Sequence, residues 1–124
     1  MNTKKIKIIG LGGIGSYLAE PLARFLNFSY KDKDQVIEMT LIDGDQYEEK
    51  NRGRQQFDEF ENKAKGTADL LTGKFPNIHF RVKEEYLDDE NVISNIREND
   101  TVFLCVDNHA TRKLVSDRCQ ELDD

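Results

Sequence analysis

The chain has no tryptophan, and among its 124 residues only two are cysteine, two proline and two histidine. Cys105 and Cys119 belong to no CxxC pair and to no cysteine–histidine cluster, so two buried thiols are a simpler expectation than a disulfide or a metal site. No apolar run approaches the roughly 20 residues that a membrane-spanning helix needs. The start, MNTKKIKIIG, lacks the small-residue cleavage site of a signal peptide, so we expect a cytoplasmic protein with no membrane partner.

Negative charge predominates, because 24 aspartates and glutamates oppose 18 lysines and arginines and give a formal net charge of −6. Long-range repulsion of phosphate then disfavours nucleic acid and anionic membranes as partners. Any phosphate that the protein binds must be held by local backbone amides and a few well-placed cations. The length suffices for one modest core, so we expect a single domain over residues 1–124.

Apolar periodicity predicts strands that alternate with helices. Strands are expected at 6–9, 36–45, 77–82 and 101–108, and helices from a glycine-rich turn to about Leu26, at 62–72, at 88–99 and from 109 onward. The polar segment 27–35 is expected to be a loop. The apolar positions at helical spacing are Ile14, Leu18, Leu22 and Phe25 in the first helix and Ala64, Ala68 and Leu71 in the second. Such alternation predicts an α/β Rossmann-like three-layer sandwich with a mainly parallel sheet.

A glycine-rich turn follows the first strand and opens the first helix. Gly10, Gly12 and Gly15 form the pattern GxGxxG, in which the first glycine permits the tight turn, the second lets a phosphate approach and the third allows close packing. The start of the helix offers amide groups and a positive dipole end to an anion. The turn predicts nucleotide binding, although a tight turn without a ligand is the alternative, and the pattern alone does not separate NAD, FAD, SAM and ATP.

Ligands of such sheets bind at the carboxyl ends of the strands, and two further strands end in polar residues there. Asp43 ends the second strand, where a carboxylate can accept hydrogen bonds from both hydroxyls of a ribose. A capping carboxylate is the alternative reading. Asp107 and Asn108 end the fourth strand, where an aspartate suits Mg²⁺ and an asparagine suits either a nucleotide or the N-cap of the next helix.

The segment NRGRQ weakens a dehydrogenase reading, because hydride transfer needs no such residues just past the ribose carboxylate. Asn51, Arg54 and Gln55 instead suit a polyphosphate clamp, in which arginine binds two phosphate oxygens at once. Lys65 on the following helix could add a second cation. A solvated charged loop remains the alternative for these residues.

Taken together, the ordered stretches GLGGIG, LIDGD, NRGRQ, Lys65 and CVDN resemble the ThiF/MoeB family, the relatives of ubiquitin-activating enzymes. The resemblance extends from Ile6 to about Arg112. It implies an adenylyltransferase that uses MgATP to adenylate the C-terminal carboxylate of a small ubiquitin-like or sulfur-carrier protein, with a homodimer as a further expectation.

The resemblance also implies a role for individual residues of the site. The nucleotide would lie on Gly10, Gly12, Gly13 and Gly15, with its ribose on Asp43. Asn51 and Arg54 would hold its phosphates, with Gln55 beside them, and Lys65 would neutralise the departing pyrophosphate. Asp107 would hold Mg²⁺, with Asn108 adjacent. Arg54, Lys65 and Asp107 are thus the expected catalytic residues. The attacking carboxylate is already ionised at pH 7, so no general base is needed, and catalysis is expected from positioning and positive charge.

Members of that family continue for roughly as much again beyond the CVDN stretch. We therefore expect the ATP-binding half of an incomplete adenylating domain, which by itself binds ATP weakly and adenylates poorly. The alternative is a nucleotide-sensing Rossmann regulatory module that binds NAD or ATP, although such a sensor has no need of both NRGRQ and CVDN. A degenerate scaffold is disfavoured because every expected polar residue is present.

Overall fold

A computed structural model describes residues 2–30, 35–44, 62–106 and 108–123 of the protein. These residues form four strands and four helices in alternation. The strands are β1 (Asn2–Ile9), β2 (Gln35–Ile42), β3 (Ile78–Lys83) and β4 (Thr101–Leu104), and the helices are α1 (Gly13–Tyr30), α2 (Lys63–Lys74), α3 (Val92–Asn95) and α4 (His109–Asp123).

The four described strands form one parallel sheet in the order β3-β2-β1-β4. Ile6 of β1 lies beside Met39 of β2 on one side and Thr101 of β4 on the other. Since every strand runs in the same direction, the carboxyl ends of all four meet at one edge of the sheet. The predicted α/β architecture with a parallel sheet is confirmed.

Two of the described helices cover each face of the sheet. Side chains of consecutive strand residues point to opposite faces, so one strand can pack against helices on both sides. Ile8 packs beneath α1 and α2, whereas the adjacent Ile9 packs with α3 and α4. The helix residues buried on the first face are Ala19, Ala23 and Leu26 of α1 and Ala64, Ala68 and Leu71 of α2. The predicted apolar stripe of α2 is thus confirmed, and the fold has three layers.

Helix α1 differs from its prediction in two respects. It continues to Tyr30, through residues that were expected to be a loop, because no glycine or proline stands between Leu26 and Tyr30 to end it. The prediction that Phe25 belongs to the buried stripe is wrong, since its side chain is 64% exposed. Neighbouring residues lie about 100° apart round a helix, and burial of Leu26 therefore turns Phe25 towards solvent.

None of the described helices is both long enough and apolar enough to cross a membrane. Cys105 and Cys119 are free thiols, and each is half-buried.

Candidate functional site

A cavity of about 420 Å³ opens at the carboxyl edge of the sheet. Its walls are the segments that follow β1, β2, β3 and β4, together with the first residues of α2 and α4. Three of these segments are the glycine turn, the stretch that begins at Asp43 and the stretch that follows Leu104. The fold therefore brings together the strand ends at which the sequence predicts a ligand.

At two positions of the turn, the backbone conformation or close contacts within the protein require a glycine. Gly10 has φ +92°, and a Cβ added there would lie 2.6 Å from Cγ1 of Val106. A Cβ on Gly15 would overlap the carbonyl oxygen of Gly10. The turn is fixed to the sheet by the amide of Gly10, which donates to the carbonyl of Ile42 at 2.9 Å.

Gly12 is different, because nothing in the described protein requires a glycine there. A Cβ added to Gly12 would meet no heavy atom within 4 Å, and its φ lies outside the left-handed region. Gly12 lines the cavity, one residue before the start of α1. A glycine at this position keeps the backbone open towards the cavity, as a phosphate that approaches helix amides needs.

Asp43 lies at the end of β2 and is 8% exposed. Its Oδ2 accepts a hydrogen bond of 2.6 Å from the amide of Leu11 within the glycine turn. The carboxylate therefore helps to hold the turn, which was the alternative reading of this residue. A carboxylate can accept several hydrogen bonds at once, so this role does not conflict with the binding of ribose hydroxyls.

The first turn of α2 brings a lysine to the cavity, but not the lysine that the sequence singles out. Lys63, the first residue of α2, is half-buried and lines the cavity. Lys65 lies two residues further along, is exposed, and is not among the described residues of the lining. Sequence spacing alone does not separate the two lysines, because the direction in which α2 enters the site decides between them.

Three residues after β3, namely Glu85, Tyr86 and Leu87, also line the cavity and were missed from the sequence. The ring of Tyr86 lies close against Gly44, since a Cβ on Gly44 would be only 2.5 to 2.7 Å from three of its ring carbons. Leu87 follows it in the wall. The available signal was their place just beyond the carboxyl end of a parallel strand, where ligands bind.

The segment after β4 closes the opposite wall of the cavity. The amide of Cys105 donates to the carbonyl of Ile9 at 2.8 Å, and burial raises the pKa of the Cys105 thiol. Asn108 lines the cavity and also caps α4, because its Oδ1 accepts from the amide of Thr111 at 2.8 Å. The capping role that was predicted as one possibility for Asn108 is thus confirmed.

A family model described as the ThiF family matches residues 1–124. The chain belongs to the ThiF family.

Solved structures with a similar fold include two proteins from E. coli. The tRNA N6-threonylcarbamoyladenosine dehydratase TcdA, solved in complex with AMP, is 23% identical with a TM-score of 0.77, and the match covers 97% of this chain and 47% of TcdA. TcdA has also been solved in complex with ATP. MccB is 25% identical with a TM-score of 0.72, and that match covers 94% of this chain and 31% of MccB.

PaaA is a third similar structure, at 21% identity and a TM-score of 0.69, and the match covers 95% of this chain and 35% of PaaA. This ThiF-family chain therefore spans about half the length of TcdA and about a third of the other two. No curated protein sequence matches it.

Several residues that the sequence predicts for the site of this ThiF-family chain lie outside the described residues, namely Asn51, Arg54, Gln55 and Asp107. Their roles stay predictions. Within the described ranges, no three histidine, cysteine, aspartate or glutamate side chains form a group that could hold a metal ion. Gly13 is the first residue of α1 and directly follows the open position at Gly12.

Proposed function

We propose that this chain binds MgATP in the cavity at the sheet edge and uses it to adenylate the C-terminal carboxylate of a small ubiquitin-like or sulfur-carrier protein. The observation that carries the proposal is the open backbone at Gly12, which no contact within the described protein explains. Membership of the ThiF family supports it, as do the ATP and AMP complexes of TcdA.

The walls of the cavity suit the three parts of the nucleotide. The phosphates would lie at Gly12 and the amides that start α1, where the helix dipole favours negative charge. The ribose would lie at Asp43, whose carboxylate accepts from hydroxyl groups. The base would lie towards Tyr86 and Leu87, which offer an aromatic ring and an apolar side chain.

The reaction needs positioned charge and no proton acceptor. A carboxylate oxygen of the acceptor attacks the α-phosphorus, the bond to the bridging oxygen breaks, and pyrophosphate leaves with the negative charge. Arg54 and Lys65 are proposed to neutralise that charge, and Asp107 to hold Mg²⁺, which supplies further positive charge to the phosphates. Lys63 is the lysine that the structure brings to the cavity, so we add it as a candidate for the same role.

The wider context of the reaction belongs to the same proposal. The acceptor protein, a homodimer, a cytoplasmic location and a single domain over 1–124 are inferred from the family resemblance and the composition. Each of these four properties can be measured directly with the purified chain or in cells that produce it.

Nucleotide preference tests the proposed function against a sensor of NAD. ATP and NADH are titrated into the purified chain with and without Mg²⁺, and calorimetry gives each Kd. We expect ATP with Mg²⁺ to bind more tightly than NADH, and the Asp107→Ala variant to lose the dependence on Mg²⁺. Tighter binding of NADH that is indifferent to the metal would overturn the proposal in favour of a regulatory module.

Two neighbouring lysines provide a matched pair for the phosphate role. Lys63→Ala is expected to weaken ATP binding about tenfold, the scale of one hydrogen bond to a charged group, because Lys63 lines the cavity. Lys65→Ala removes the same charge from the same helix turn at an exposed position. A loss in both variants would assign the role to both lysines, and a loss confined to the Lys65 variant would remove Lys63 from it.

Activity is tested by release of pyrophosphate and by transfer of AMP to an added carrier protein. We expect slow turnover by this chain, because it spans only 47% of TcdA and 31% of MccB. Adenylation of a carrier by residues 1–124 alone, at the rate of a complete adenylating enzyme, would contradict that expectation.

A further inference from the structure

A buried asparagine forms the N-cap of α2. Asn62 is 6% exposed, and its side-chain oxygen accepts hydrogen bonds from the amides of Ala64 and Lys65, at 2.8 and 3.1 Å. The first turn of a helix leaves such amides without partners inside the helix. The cap therefore fixes where α2 begins and which way its first residue faces.

The amide nitrogen of the same side chain makes a bond that capping does not require. Nδ2 of Asn62 donates to the backbone carbonyl of Asp43 at 2.9 Å, in a buried contact between residues 19 apart in sequence. Asp43 is in turn bonded through its carboxylate to the amide of Leu11 in the glycine turn. Asn62 thus ties the start of α2 to the end of β2, beside the cavity.

Asparagine is suited to both tasks because one short side chain carries an acceptor and a donor. Serine, threonine and aspartate also cap helices, but aspartate has no proton to donate and the hydroxyl residues are shorter. Lys63 comes directly after Asn62 and lines the cavity. The bond to Asp43 therefore sets the position of a lysine next to the proposed ATP site.

We propose that Asn62 is a positioning residue, whose bond to the carbonyl of Asp43 holds Lys63 where it meets the β- and γ-phosphates of ATP. The inference depends on the proposed function, and Asn62 itself touches no substrate. The proposal predicts different effects on ATP and on AMP. AMP lacks the β- and γ-phosphates, so its binding does not use Lys63 and does not depend on the bond between Asn62 and Asp43.

The test is a comparison of ATP and AMP binding in the full chain. Asn62→Ser keeps a neutral capping oxygen but is too short to reach Asp43, and Asn62→Thr serves in its place if the serine variant does not fold. As a control, Asp69→Gly weakens α2 through helix propensity at an exposed position away from the bond. We expect the Kd for ATP to rise about tenfold in the Asn62 variants, with less than about a threefold change for AMP. The Asp69→Gly control should leave both Kd values unchanged.

A second arm asks whether Asn62 acts through Lys63. In a Lys63→Ala background, Asn62→Ser is expected to cause no further loss of ATP affinity. Equal losses for ATP and AMP, an additive loss in the double variant, or an unchanged ATP Kd in the single variant would each overturn the inference. Failure of the proposed ATP site is distinct, because the unmodified chain would then bind neither ATP nor AMP and both proposals would fall.

Discussion

Substitution of Gly12 by alanine should remove nucleotide binding while the protein becomes slightly more stable. Among the residues that the structure describes, the added Cβ would meet no heavy atom within 4 Å, and the backbone there is not left-handed. A glycine replaced at such a position gains about 0.4–1 kcal/mol of stability, because the unfolded chain loses freedom. The methyl group would instead occupy the space that we assign to a phosphate.

Gly10 provides the contrast within the same turn. An alanine at φ +92° costs about 1–2 kcal/mol for its left-handed conformation. Its Cβ would also lie 2.6 Å from Cγ1 of Val106, where carbon atoms prefer about 3.5–4.0 Å, and such overpacking costs about 1–3 kcal/mol. The total of about 3 kcal/mol corresponds to a fall in Tm of roughly 12 °C for a chain of this size.

Gly73 of α2 is a matched control, since a Cβ there also meets no described atom within 4 Å but the residue is not part of the described cavity lining. Gly73→Ala should raise stability by about 0.5–1 kcal/mol through helix propensity and leave ATP binding unchanged. Thermal unfolding gives the Tm of each variant, and calorimetric titration with MgATP gives its Kd. The reasoning is refuted if Gly12→Ala binds MgATP as well as the parent chain, or if it melts as early as Gly10→Ala.

The remaining predictions concern the cavity wall and the core. Burial raises the pKa of Cys105, so its alkylation should be slow at pH 7 and quicken as the pH rises and the thiolate forms. ATP should protect Cys105 from iodoacetamide but leave Cys119, which is remote from the cavity lining, unprotected, and equal protection of both would contradict the placement of ATP. Asp43→Asn should weaken ATP and AMP binding alike, by about tenfold, because the ribose is common to both, and a loss for ATP alone would count against a ribose role. Leu71→Ala should lower the free energy of unfolding by about 3 kcal/mol, since that side chain is 1% exposed, and a loss below about 1 kcal/mol in urea unfolding would contradict its place in the core.

Much of the fold could be predicted from the periodicity of apolar residues and from local motifs. The alternation of apolar runs predicted the order of strands and helices, and the stripe of Ala64, Ala68 and Leu71 predicted the buried face of α2. The cap at Asn108 was also predictable, because a capping bond joins residues only three apart. These features depend on neighbours in sequence, which the sequence displays directly.

The features that escaped prediction depend on contacts between distant segments. Phe25 fits a helical apolar spacing, but the packing of α1 on the sheet leaves it exposed. The place of Lys63 in the cavity lining depends on how α2 enters the site, and no local pattern reveals the bond of Asn62 to Asp43 there. The role of Lys65 stays a prediction. The place of Tyr86 on Gly44 likewise requires knowledge that β2 and β3 are neighbours in the sheet.

A structure of the chain with a non-hydrolysable ATP analogue and Mg²⁺ tests the central claim most directly. The account predicts the phosphates at the amides that follow Gly12, the ribose at Asp43 and the base beside Tyr86. A nucleotide bound elsewhere on the protein, or one bound in the cavity with its phosphates turned away from Gly12, would contradict it.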